Sequence, residues 1–174
     1  MTKHVEHNSN SRVKLENLTE KHLSDTFTWI KNPVLQSVFL LRGEITWEGH
    51  KTYFARLLAD HSQKPYAILY EGEHVGNCGF KHLDAVTRSG ELWIYIGSSE
   101  MRGRGIGYSA LCLLLCEGVQ KLGLEKIQVH VAENNQSARK LYLRASFVEA
   151  GEAGEEWQER GCRMLRMIWE HKQV

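Results

Sequence analysis

MRGRGIGYSA, residues Met101–Ala110, sets Gly103, Gly105 and Gly107 around Arg102 and Arg104 and then enters an apolar run. From Tyr108 to about Leu122 that run reads as one long helix, with Gly123 as its C-terminal stop. GELWIYIGS precedes the turn and KIQVHVA follows the helix, and both have the β-branched and aromatic content of strands. Strand, glycine-rich turn, helix and strand make a parallel crossover, expected to be right-handed. The turn therefore decides the fold class, an α/β protein built on a mixed sheet.

Upstream, RVKLENL alternates and predicts a first strand. A helix is expected near TEKHLSDTFTWI, ended by KNPV because Pro33 disfavours helix at Asn32. ITWEGHKTYFARLLADH offers Thr46 as N-cap and an apolar face of Trp47, Tyr53, Phe54, Leu57 and Leu58. PYAILYEG, HVGNCGFKHLD and GELWIYIGS are joined by glycine-containing turns and predict an antiparallel meander. Downstream, NQSARKLYLRA reads as a short helix, and SFVEAGEE and CRMLRMIWE read as closing strands. The expected order is β-α-α-β-β-β-α-β-α-β-β. Residues 1–10 are expected to be a flexible polar tail and residues 11–174 a single domain. The closing strand CRMLRMIWE is expected to be exposed, where edge pairing could support a homodimer.

Bulk properties narrow the function classes. A chain of 174 residues is long enough for one sizeable core. Net charge of +1 gives no global field toward nucleic acid, and ALCLLLC, the longest apolar run, is too short to span a bilayer. The start lacks an apolar leader segment, and a cytoplasmic location is expected. Cys78, Cys112, Cys116 and Cys162 form no CxxC pair and no zinc spacing, so no metal is expected, and Cys112 and Cys116 are read as inward-facing core thiols.

At a helix start the unpaired N–H groups and the positive dipole end favour an anion. Glycines at 103, 105 and 107 clear the backbone for close approach, and Arg102 and Arg104 add forked donors suited to phosphate oxygens. RGRGIG thus reads as a pyrophosphate cradle, with Ile106 inside it. It is not a Walker loop, which needs GxxxxGK followed by Ser or Thr, and it fits a dinucleotide fingerprint poorly.

RGRGIG resembles the R/Q-x-x-G-x-G/A signature of the GCN5-related N-acetyltransferase (GNAT) superfamily, through Arg102, Gly105 and Gly107. NQSARKLYLRASF is similar to the family's N-x-x-A-x-x-L-Y-x-x-x-G-F, through Asn135, Ala138, Leu141, Tyr142 and Phe147, with Ser146 where glycine is usual. The resemblance covers element order over roughly residues 11–170. It implies a mostly antiparallel central sheet splayed between its fourth and fifth strands, with helices on both faces. It implies acetyl-coenzyme A as donor, its pyrophosphate on the amides of Arg102, Gly103, Arg104, Gly105, Ile106 and Gly107. The pantetheine arm would lie in the splay against backbone groups near Ile94 and Ile96 and reach Asn135, Ala138 and Tyr142. Tyr142 would protonate the leaving thiolate. Glu91 and His50 are the candidate bases, and transfer would be direct, in a ternary complex.

For the acceptor, WIKNPVLQSVFLLRGEITWEGHKTYFARLL resembles bacterial acetyltransferases of nucleotide-linked amino sugars. That likeness implies Trp29, Asn32, Trp47 and His50 in a small-molecule amine pocket, and His82 is a further candidate. The closing segment also resembles ribosomal-protein N-terminal and spermidine acetyltransferases, for which Glu44, Glu48 and Asp25 could give an acidic lining. A non-catalytic module that senses coenzyme A is the alternative outside enzymes.

Overall fold

In the computed structural model, which describes residues 12–39, 41, 43–153 and 163–171, the meander predicted from the sequence forms the middle of one sheet. Strands β1 (Val13–Asn17), β2 (Lys64–Tyr70), β3 (Glu73–Asp84) and β4 (Ser89–Ile96) pair antiparallel in sequence order. β2 turns into β3 through Glu71 and Gly72, whose φ angles of 52° and 89° are both left-handed. Such a pair matches the twist of a tight hairpin. The helix α4 (Ile106–Leu122) then carries the chain to β5 (Lys126–Ala132), which pairs parallel with β4. The expected tail 1–10 and Cys162 lie outside the described residues.

The sheet closes in the order β1-β2-β3-β4-β5-β7-β6, where β6 is Val148–Glu152 and β7 is Met164–Glu170. β7 therefore lies between β5 and β6, with antiparallel partners on both sides. This corrects the expectation that CRMLRMIWE is an exposed edge: its hydrogen-bonding groups already serve two neighbours, and β1 and β6 are the outer strands.

Pleating divides the core. Tyr66 and Ile68 of β2 pack with Leu111 and Leu114 of α4, while Ala67, pointing to the opposite face, packs with Phe54 and Leu57 of α3 (Trp47–Ala59). Helices thus cover both faces. Thr46 caps α3 as expected, accepting from the Gly49 N–H at 3.1 Å, and Gly123 ends α4 at φ 65°. Cys112 and Cys116, expected as core thiols, are half-buried, and among the described residues Cys78 is the fully buried thiol.

The segment after β1 departs from the sequence reading. A single 3-10 turn, Glu20–His22, leads into α1 (Leu23–Ile30), and Pro33 starts a further helix, α2 (Pro33–Val38), instead of ending one. Asn32 accepts from the Val34 N–H at 2.9 Å and caps it. Proline lacks the N–H that a first helical position would leave unpaired, so it suits that place.

Candidate active site

The site grows from a gap in the sheet. β4 and β5 pair only at Ser89, Gly90 and Glu91 against Lys126, Ile127 and Gln128. Beyond this the two strands part, although β4 runs on to Ile96 and β5 to Ala132. The facing backbone groups of Leu92–Ile96 and Val129–Ala132 are then available to an extended guest bearing amides. Ile94 and Ile96, expected to bind such a guest, lie on the opened stretch. The Ile96 carbonyl accepts from Arg102 Nε at 3.1 Å, so this guanidinium leans back on the strand as well as carrying charge to the turn.

The gap leads to the start of α4. Gly105 is its N-cap at φ 78° and offers no side-chain cap. The first intrahelical bond runs from the Ser109 N–H to the Gly105 carbonyl, leaving Ile106, Gly107 and Tyr108 without an acceptor in the helix. A Cβ built on Gly103 or on Gly105 meets nothing within 4 Å. The turn is open, and its positive φ angles are ones that side chains with a Cβ rarely adopt. A pyrophosphate fits these donors. A cation that the sequence reading missed stands beside them: the Arg144 guanidinium lies 3.7 Å over the Tyr108 ring.

α5 (Gln136–Arg144) brings the second motif. Asn135 caps it by accepting from the Ala138 N–H at 3.1 Å. Tyr142 is buried against Phe147, ring centroids 5.5 Å apart, and burial pushes its phenol well above the ordinary range. It therefore keeps its proton at neutral pH, as a proton donor must.

Glu91 sits where the strands part and is 5% exposed. Its carboxylate meets His130 Nδ1 at 3.0 Å, Lys81 Nζ at 3.0 Å and His82 Nδ1 at 3.1 Å. Burial alone would raise its pKa, but the hydrogen bonds from His130 and Lys81 outweigh it and hold the group at about 2. His82 is largely exposed and touches the cluster from outside.

On the same face of β4, Trp93 and Tyr95 form one wall of a cavity of about 460 Å³ whose other wall is α3 and the segment before it. Asn77 anchors this wall, donating to Tyr95 Oη at 2.8 Å and to Thr26 Oγ1 at 3.0 Å, while its carbonyl oxygen meets His74 Nε2 at 2.8 Å. Phe39, Tyr53 and Phe54 contribute rings, and Glu44 is the carboxylate of the lining. His50 lies in it as expected, 6% exposed and held toward its neutral form by burial.

Trp29, Asn32, Trp47 and His82 do not line this cavity. Trp29 lies on His74 at 4.6 Å and fills the space above Gly97, where a Cβ would stand 2.0 Å from its ring. Trp47 packs edge-on to Phe27 at 5.0 Å, and Asn32 is committed to its cap. Tyr53, Trp93 and Tyr95 are among the lining residues the sequence reading missed. Alternation along LWIYIG could have found the last two, since Trp93 and Tyr95 must face away from Leu92 and Ile94. Among the described residues no helix is long and apolar enough to cross a membrane.

Comparison with known proteins agrees with this fold. The spermine/spermidine N(1)-acetyltransferase of Bacillus subtilis is 29% identical over 97 residues, covering 53% of this chain and 64% of that protein. YdaF of the same organism, whose name assigns it provisionally to ribosomal N-acetyl transfer, is 30% identical over 98 residues, or 56% of this chain and 53% of its own. The chain thus spans about half to two thirds of the length of these relatives. In fold it is similar to the spermidine N-acetyltransferase of Vibrio cholerae, solved with CoA and spermine, at a TM-score of 0.81 and 22% identity over 92% of this chain and 96% of that one. A family model described as an acetyltransferase (GNAT) domain matches residues 12–148, so the chain belongs to that family.

Proposed function

We propose that the protein transfers an acetyl group from acetyl-coenzyme A to a small primary amine. The observation that carries this reading is the joining of three features in one place: the parted strands β4 and β5, the open, uncapped start of α4, and a cavity on the far side of β4. In this reading Ile106, Gly107 and Tyr108 bind the pyrophosphate, with Arg102, Arg104 and Arg144 adding charge. Ile94 and Ile96 take the pantetheine amides. The donor supplies an activated thioester. The amine nitrogen attacks its carbonyl carbon, the N–C bond forms, the C–S bond breaks, and the nitrogen loses a proton while the thiolate gains one. Tyr142, neutral and buried beside Asn135 and Ala138, supplies the thiolate's proton. Glu91 is a weak base with its pKa held near 2; its task is to hold His130, and the Glu91–His130 pair takes up the amine's proton.

The acceptor expected from the sequence, a nucleotide-linked amino sugar, loses support. Three of the residues that carried it, Trp29, Asn32 and Trp47, are committed to packing and capping. The relatives are named instead for polyamines and for ribosomal N-acetylation. Polyamines therefore replace amino sugars as the reference class, supported also by Glu44 in the lining. The test is release of free thiol from acetyl-coenzyme A in the presence of an amine panel, with products weighed by mass spectrometry. Acetylated amine with stoichiometric thiol is expected. Tight coenzyme binding without turnover on any amine would leave the sensor reading instead.

A further inference from the structure

Behind Tyr95 the wall of the cavity rests on a buried polar cluster. His22, Thr26 and Asn77 are buried, and the side chain of His74 is 8% exposed. Buried polar groups that are fully paired hold their neighbours in one arrangement. Here the pairing also fixes where the protons are. Thr26 Oγ1 donates to the His22 carbonyl at 2.8 Å, so its hydrogen is committed and its oxygen must accept. The Asn77 group that it meets at 3.0 Å is therefore the amide nitrogen, and the amide oxygen points the other way, to His74 Nε2 at 2.8 Å. His74 Nδ1 in turn meets the Asp25 carboxylate at 3.0 Å. Both partners of His74 can only accept, so both of its nitrogens donate and the ring is the imidazolium.

The surroundings suit that charge. Asp25 of α1 is its half-exposed counter-ion. Trp29, also of α1, places its ring 4.6 Å away, within cation–π range. His22, from the 3-10 turn, packs T-shaped at 4.6 Å and is itself neutral. Its Nδ1 accepts from the Thr19 N–H at 3.0 Å, so Nε2 carries the one proton and donates to Glu16 of β1 at 2.8 Å. Burial holds His22 in that form against the pull of Glu16, which Lys21 shares at 2.7 Å. Of the two adjacent histidines, the charged one is bonded toward the cavity: Asn77 passes its hold to Tyr95 Oη of β4 at 2.8 Å.

We infer that His74, donating from both nitrogens, is a positioning residue that locks Tyr95 into the acceptor wall through Asn77, and that loss of one proton from His74 opens the lock. This rests on the acetyl-transfer reading and gives its acceptor side a control by pH. The proton that remains stays on Nδ1, because a carboxylate is a stronger acceptor than an amide oxygen. Nε2 then accepts, and two acceptors face each other across 2.8 Å. Turning the Asn77 amide over only moves the conflict to Thr26 Oγ1, whose hydrogen is already committed. Asn77 therefore releases Tyr95.

The experiment follows KM and kcat for spermidine, or for the panel amine used fastest in its place, across neutral and alkaline pH in the natural protein, His74→Leu and Asp25→Ala. At neutral pH His74→Leu should raise KM by about 5- to 10-fold, with a smaller change in kcat and no change in coenzyme A affinity. The ratio of the variant's KM to the natural one, which cancels ionisation of the amine itself, should fall toward 1 as pH rises. In Asp25→Ala the remaining proton can stay on Nε2, so its KM should track neither change. Circular dichroism checks folding. In the natural protein, 15N NMR of the imidazole should find both nitrogens of His74 protonated at neutral pH and Nδ1 of His22 bare. A bare nitrogen on His74 at neutral pH, a KM ratio constant with pH, or Asp25→Ala following the natural protein's pH course would overturn the proposal. If no amine is turned over, the acetyl-transfer reading fails separately. The lock is then decided by the Tyr95 ring signals, which should move with the titration of His74 in the natural protein and not in Asp25→Ala; signals that ignore that titration would overturn it.

Discussion

Ser146 shows how a single residue can keep a turn that its chemistry resists. It stands at φ 70°, the left-handed region, directly before Phe147, whose N–H bonds back to the Tyr142 carbonyl at 3.0 Å. The backbone thus takes the glycine-like turn of the motif and accepts the strain of a Cβ there. Ser146→Gly should raise stability by about 1 kcal/mol, seen in urea denaturation as a higher midpoint with an unchanged slope. Glu91 gives a second prediction. Its folded pKa of about 2 lies below the ordinary 4.5, so its contribution to stability is fully present above about 4.5 and is lost as pH falls toward 2. Glu91→Gln should flatten that part of the pH–stability curve and lower kcat/KM at least about tenfold, since it also loosens His130. An unchanged acid limb would contradict the assigned ion pairs. The sequence could group Tyr142, Asn135 and Ala138 as candidates because one short motif at one helix carries them. Tyr53 and Tyr95 were not, because they meet across a cavity that joins distant segments.

At the scale of elements, the parting of β4 from β5 matters most. The sequence indicated both strands and the helix between them, because periodicity and glycine stops are local signals. It misread α2 and β7 for physical reasons. Pro33 blocks a helix that precedes it but favours one that it begins, and Asn32 was the cap that distinguished the two. β7 ends the described chain yet sits inside the sheet because β6 pairs outside it, and no local pattern records that order. The seam between α1 and the end of β4 gives another test. Gly97 lets the Trp29 ring lie directly on the backbone, and its N–H bonds to the Val75 carbonyl at 2.9 Å. Gly97→Ala should cost about 1–3 kcal/mol through overpacking, visible as a lower melting temperature, while the conservative Trp29→Phe should relieve part of that loss in the double variant.

Across the whole molecule, two motifs on one face of the sheet and one cavity on the other meet at the gap in β4 and β5. The fold class, and the candidate donor side, could be read from residues 101–110 and 135–147, where sequence neighbours are also neighbours in space. The acceptor side could not, because its walls come from residues 26–57 and 77–95 and depend on how α1, α2 and α3 settle on the sheet. The account's central claim is that the open start of α4 holds the donor's pyrophosphate. Calorimetry with coenzyme A tests it most directly, on the natural protein, on Gly105→Trp and on Gly72→Trp as a control. Gly105 and Gly72 both have positive φ and open space around a Cβ, so both substitutions strain the backbone alike, but Gly72 lies in the β2–β3 hairpin. The predicted result is folded protein in all three cases, with binding lost in Gly105→Trp alone. Undiminished coenzyme affinity in folded Gly105→Trp would contradict the account.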